Sequence, residues 1–261
     1  MPLSPSKEVL LQIAYYTDLL VKACASGEKP YGPGVLDGGP VEYFSRLNNY
    51  GCVQDRGDST LLMFAGSNDP LDYIADVLAF PVSPILPGIP GKVHAGFEIS
   101  WRMLRRKCLR LLGSDRSKPI TIFGHSLGAA ISVICAGDLS SMGYAVKHVC
   151  LLGCPRVGDE QYTTWSAGAY PSLRIVNGYD VVAALPPEWL LGYRHVGDAM
   201  YMLDGHTKLS STYRLSPFPY VYRGVGDHGL DNKYIPGVRA CADEALSEFS
   251  RGRLFRTPGT K

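Results

Sequence analysis

No run of about 18 apolar residues occurs in the chain, so no segment reads as a transmembrane helix. An excess of charge is missing too. Lys and Arg number 26 against 24 Asp and Glu, a net charge of +2, and nucleic acid is not expected as a partner. A second paired-cysteine motif is absent, so Cys150 and Cys154 complete no zinc site. The seven cysteines are odd in number in a chain too long to need disulfide staples, and they read as buried reduced thiols. The N-terminus, MPLSPSKEVLLQIAYYTDLL, lacks the basic start and unbroken apolar core of a secretory leader; Gln12, Thr17 and Asp18 interrupt it. As given, the chain is expected to be intracellular, and secreted if a leader has been removed. Internal repeats and low-complexity segments are lacking as well.

What is present is a globular composition, 46% hydrophobic and 19% charged over 261 residues. The expectation is one α/β domain over residues 1–261, with a frayed tail at about 256–261. Apolar spacing over 6–26 predicts a helix closed by Gly27, and the glycines and prolines of 28–40 predict a loop. VEYFSRL, CVQD, TLLMFAG, PITIFG, VKHVCLLG and SLRIVNG read as strands. Residues 98–112 and LGAAISVICAGDLS read as helices. The arginines at 102, 105, 106 and 110 form a stripe on the first of these, read as a solvated face. Strands alternating with helices predict a mostly parallel central sheet with helices on both faces.

One stretch carries chemistry. Gly124-His125-Ser126-Leu127-Gly128 fits G-x-S-x-G and lies between a predicted strand and a predicted helix. At such an elbow the chain turns so sharply that residues two before and two after the serine crowd it, which accounts for Gly124 and Gly128. Ala129 and Ala130 let the helix pack closely on the sheet. Ser126 then stands at a helix N-terminus, and the backbone N–H of Leu127 is a natural oxyanion donor. His125 is the intervening residue, so its side chain is expected to point away and not to act as the base.

A serine needs a base, and the base an orienting carboxylate, in the chain order serine, acid, histidine. Asp180 follows the predicted strand SLRIVNG and sits where open α/β sheets collect their sites. Asp138 falls within a helix and Asp159 in a turn. His195, His206 and His228 all remain open as the base on these grounds.

The segments around the elbow resemble the class 3 (fungal-type) lipases of the α/β-hydrolase superfamily. FAGSNDPLDYIAD, VHAGF, FGHSLGAA, LLGCPRVGD, RIVNGYDVVAALPP and YRHVGDAMY occur in that family's order, over about residues 55–235. The resemblance implies an α/β-hydrolase fold with Ser126 as nucleophile and Asp180 as triad acid. It places His195 in a non-catalytic strand motif, leaving His228 as the base ahead of His206. Ser67 becomes the second oxyanion donor beside Leu127. Ala65 stands where the family carries an arginine, which puts any ion pair of that arginine in doubt and not the chemistry.

Residues 69–80, DPLDYIADVLAF, set Asp69, Asp72 and Asp76 on one helical face and Leu71, Ile74 and Leu78 on the other. With its proline-rich flank this region, about 69–90, reads as a lid that turns an apolar face toward lipid. The implied activity is hydrolysis of the carboxylic esters of acylglycerols through an acyl-enzyme, with no metal or organic cofactor. The implied partners are a lipid or other ester substrate and a transient lipid–water interface. The alternatives are a phospholipase A, a feruloyl or short-chain carboxylesterase with the same triad, and a catalytically silent binding relative.

Overall fold

The computed structural model describes residues 32–36, 39–47, 49–66, 81–84, 88–189, 191–202, 227–234, 236–238 and 240. The helix expected over 6–26, Ser67, the lid helix over 69–80, His206 and the tail lie outside the described residues, as do Cys24 and Cys241.

Eight strands form one sheet: β1 (Gly32–Leu36), β2 (Gly39–Arg46), β3 (Asn49–Asp55), β4 (Thr60–Ala65), β7 (Ile120–His125), β8 (Val146–Leu152), β9 (Ser172–Asn177) and β10 (Asp198–Met202), adjacent in that order. The first four pair antiparallel. From β4 onward every pairing is parallel. A separate two-stranded piece joins β5 (Pro81–Val82) to β6 (Val93–His94). The centre of the sheet is its most apolar part. TLLMFA in β4 is buried at every position, as a strand covered on both faces must be.

Helix α1 (Ala95–Leu112) and helix α2 (Leu127–Ser141) pack side by side on one face. On α1, Trp101, Leu104 and Cys108 are buried. Arg102 pairs with Glu98 and Arg105 with Asp138. Asp138 is the polar tie between the two helices. Its buried carboxylate also accepts from Trp101 Nε1 at 2.9 Å. Helix α2 is buried almost all round, from Gly128 to Leu139, which explains its lack of charge before Asp138. The opposite face of the sheet carries Leu61, Met63, Phe123, Leu152 and Ile175, and among the described residues Tyr234 and Val238 pack against it.

Three expectations are corrected. The loop expected over 28–40 contains β1, an edge strand hydrogen-bonded to β2. Pro33 and Gly34 argue against a central strand but suit an edge, and Gly34 leaves room for the ring of Tyr43, diagonal to it on β2, which a Cβ would meet at 2.9 Å. Helix α1 begins at Ala95, before the expected residue 98. A third helix, α3 (Glu160–Ala169), was not expected; Asp159 caps it by accepting from Tyr162 N at 2.9 Å.

Candidate active site

The turn from β7 into α2 is built by steric necessity. Ser126 has φ 58° and ψ −127°, a left-handed conformation that an L-residue adopts only when its surroundings impose it. A Cβ on Gly124 would lie 2.4 Å from the carbonyl oxygen of Gly128, and one on Gly128 would lie 2.2 Å from that of Phe64. Both glycines are therefore required for the approach of β4, β7 and α2. The serine is not an ordinary helix cap, because its side chain makes no capping hydrogen bond. Its Oγ is left to face a histidine.

That histidine is His228. Its Nε2 lies 2.7 Å from Ser126 Oγ, and its Nδ1 lies 2.9 Å from both carboxylate oxygens of Asp180. An ionised carboxylate only accepts, so Nδ1 carries the proton and Nε2 presents its lone pair to the serine hydroxyl. All three residues are buried. Asp180 stands just beyond β9, as the sequence predicts, and is held by two more donors. Val182 N donates to Oδ1 at 2.9 Å and the Tyr234 hydroxyl donates to Oδ2 at 2.5 Å. A carboxylate with this many donors is fixed in place.

Leu127, the first residue of α2, offers its N–H at the helix N-terminus beside Ser126. Gly66 closes the same corner, since a Cβ there would come within 3.0 Å of Ser126 Cβ. Ser67 lies outside the described residues. His195 is far from this arrangement in role: it lines a separate cavity with Arg156 and Arg194. Asp227, next to His228, turns away and accepts from Tyr179 N at 2.9 Å.

The expectation for His125 needs correcting. Its side chain does not turn off toward the bulk of the protein. Nε2 donates to the backbone carbonyl of His228 across 2.9 Å, and the two rings stack at 4.8 Å between centroids. Burial, reinforced by the neighbouring His228, pushes its pKa down to about 3, so it is a neutral support. Tyr234 and Gly153 also escape a reading of the sequence. Gly153, with φ 55°, ends β8 directly beneath the triad, and a Cβ there would meet Asp180 Oδ2 at 2.7 Å and His228 Cε1 at 3.0 Å. Its signal is a glycine immediately after a buried strand. Tyr234, six residues beyond His228, carries none.

The described cysteines, Cys52, Cys108, Cys135, Cys150 and Cys154, are free and buried, and burial raises the Cys154 pKa to about 12. Among the described residues no group of His, Cys, Asp and Glu could hold a metal ion.

A sheet parallel from β4 onward, a serine at a strained strand-to-helix turn, and acid and histidine following it in chain order define the α/β-hydrolase class. The profile of the family described as Lipase (class 3) matches residues 61–189. Through that segment, just under half of the chain, it is similar to the class 3 lipase family. It is 33% identical to a lipase of Rhizomucor miehei over 162 residues, 57% of this chain and 44% of the relative. It is 25% identical to the secreted mono- and diacylglycerol lipase A of Penicillium cyclopium over 168 residues, 62% of this chain and 54% of the relative. The chain thus spans about half the length of these relatives. A solved Rhizomucor miehei lipase–propeptide complex superposes with a TM-score of 0.68 at 25% identity, covering 86% of this chain and 80% of that one.

Proposed function

We propose that the chain is a serine ester hydrolase, a lipase that cleaves the carboxylic ester bonds of acylglycerols through an acyl-enzyme. The observation that carries this reading is the hydrogen-bonded relay from Asp180 through His228 to Ser126 Oγ, with contacts of 2.9 and 2.7 Å. His228 Nε2 takes the hydroxyl proton as Oγ attacks the ester carbonyl. The carbonyl electrons move onto oxygen, where the N–H groups of Leu127 and Ser67 stabilise the oxyanion. The tetrahedral adduct collapses, the C–O bond to the alcohol breaks, and His228 returns the proton to the leaving alkoxide. Water, deprotonated by the same nitrogen, attacks the acyl-enzyme and releases the acid. Asp180 holds the imidazole in the required tautomer and stabilises its charged form.

Acylglycerol is favoured as substrate by the family and by the names of its relatives, which include mono- and diacylglycerol lipases. The amphipathic segment 69–80 supports action at a lipid–water interface. Among the described residues no helix is long and apolar enough to cross a membrane, so contact with lipid is peripheral in this reading. Relatives named as secreted favour the secreted alternative over the intracellular one.

Ser126→Ala tests the assignment. The serine side chain caps nothing, so the fold should persist by circular dichroism, while hydrolysis of p-nitrophenyl esters falls by about 10⁴-fold or more. Retained activity in the folded variant would reject Ser126. An ester chain-length series with and without an emulsion tests the lipase assignment. Preference for short soluble esters with no response to the interface would replace it with a carboxylesterase.

A further inference from the structure

The segment that carries the triad acid also walls a second concavity. After Asp180 the chain turns through Val182–Ala184, and Ala183 and Ala184 border a cavity of about 410 Å³. Its polar lining is Arg156, Glu188, Arg194, His195 and Tyr201. Arg174 lies beside it. On β9 it stands two residues before the lining residue Val176, on the same face of the sheet, and its register partner Ala199 stands two before Tyr201.

Arg174 is only 5% exposed, yet its Nε and Nη1 have no hydrogen-bond partner among the described residues. A buried guanidinium with idle donors is costly, and a compensating anion removes that cost. Among the described residues the local charges do not balance without one. Glu188 is the one carboxylate among the described lining residues, and it pairs with Arg194 at 2.9 Å. Arg156, which lines the cavity, donates from Nη1 to the carbonyls of Ala184 and Pro186. Three guanidiniums against one carboxylate leave two positive charges. His195 adds a group of the opposite kind. One ring nitrogen is bonded to the backbone of Ala183, and Nδ1 has no partner, so it is available to accept from a ligand hydroxyl.

We propose that this cavity binds a phosphate group, free or as the phosphate of a lipid head-group, through Arg156, Arg174 and Arg194. Two uncompensated positive charges match a phosphate dianion better than a carboxylate, and guanidinium forks suit its oxygens. The cavity leaves room beside the phosphate for an ester substituent. Nothing in the proposed hydrolysis requires this site.

Titration calorimetry on the full chain at constant ionic strength tests it, with sodium phosphate, sn-glycerol 3-phosphate and sodium acetate as probes. Phosphate should bind saturably and acetate at least roughly tenfold more weakly. Glycerol 3-phosphate binding at least tenfold tighter than phosphate assigns the site to a head-group, and equal or weaker binding assigns it to the free ion. Arg194→Gln, at a half-buried position that should leave the fold intact, is expected to weaken binding about tenfold to a hundredfold. Arg174→Met should abolish it. Failure of both phosphate compounds to saturate by about 10 mM, acetate binding as well as phosphate, or Arg194→Gln binding unchanged would each overturn the proposal.

Discussion

Ser126 and its two hydrogen-bonded partners, Asp180 and His228, are positioned by different physics. The elbow is one continuous stretch in which bare backbone contact between Gly124, Gly128 and Phe64 dictates where Ser126 stands. The other half of the triad is assembled from separate pieces. Asp180 lies 48 residues from His228 in the chain, and His228 lies 102 from Ser126. Hydrogen bonds hold those pieces: Asp227 on Tyr179 and Asn177, His125 on the carbonyl of His228, Tyr234 on Asp180. A sterically built site has no slack and breaks outright. A site built by several hydrogen bonds loses function by degrees as each is removed.

The sharpest way to test that difference is Gly128→Ala. Its Cβ would collide with backbone, which cannot swing aside as a side chain can. Destabilisation of about 3 kcal/mol, or a Tm lower by roughly 6–12 °C, is expected together with loss of activity. A Tm unchanged in thermal denaturation would show that the elbow can relax. Tyr234→Phe removes one of three donors to Asp180 and should be milder. The expected result is a folded chain with kcat lowered roughly tenfold and KM little changed. A loss as deep as that of Ser126→Ala would mean that the hydrogen-bonded half is as brittle as the elbow.

The last test concerns His125. Its pKa is held near 3 in the folded chain against about 6.5 unfolded. Its contribution is whole above about pH 6.5, where neither state binds the proton. Below that the unfolded chain binds the proton first, so stability falls with pH toward 3, by up to about 1.4 kcal/mol per unit. Urea denaturation between pH 7 and pH 4 should show a shallower loss in His125→Gln than in the parent chain. Equal slopes would show that His125 is protonated in the folded state.

The elbow is legible in the sequence because its cause is local: small residues at fixed spacing, after one apolar strand and before a helix without charge ahead of Asp138. Asp180 is nearly as legible, since the end of a parallel strand is a predictable place for an acid. His228 is not. Three late histidines satisfy the same chain order, and only the family likeness separates them, because the contact spans a hundred residues of chain that no local pattern records. Tyr234 and the support from His125 are hidden for the same reason. β1 misleads in the opposite direction: Pro33 and Gly34 look like a loop, yet an edge strand needs hydrogen bonds on one side only.

Covalent trapping reaches the central claim most directly. A fluorophosphonate added to the full chain should phosphonylate Ser126 with release of fluoride, since only an oxygen deprotonated by a neighbouring base attacks phosphorus at a useful rate. Peptide mass spectrometry is expected to find one adduct, on Ser126, and none in His228→Ala. An adduct on another residue, or an unlabelled Ser126 in a chain that still hydrolyses esters, would contradict the account.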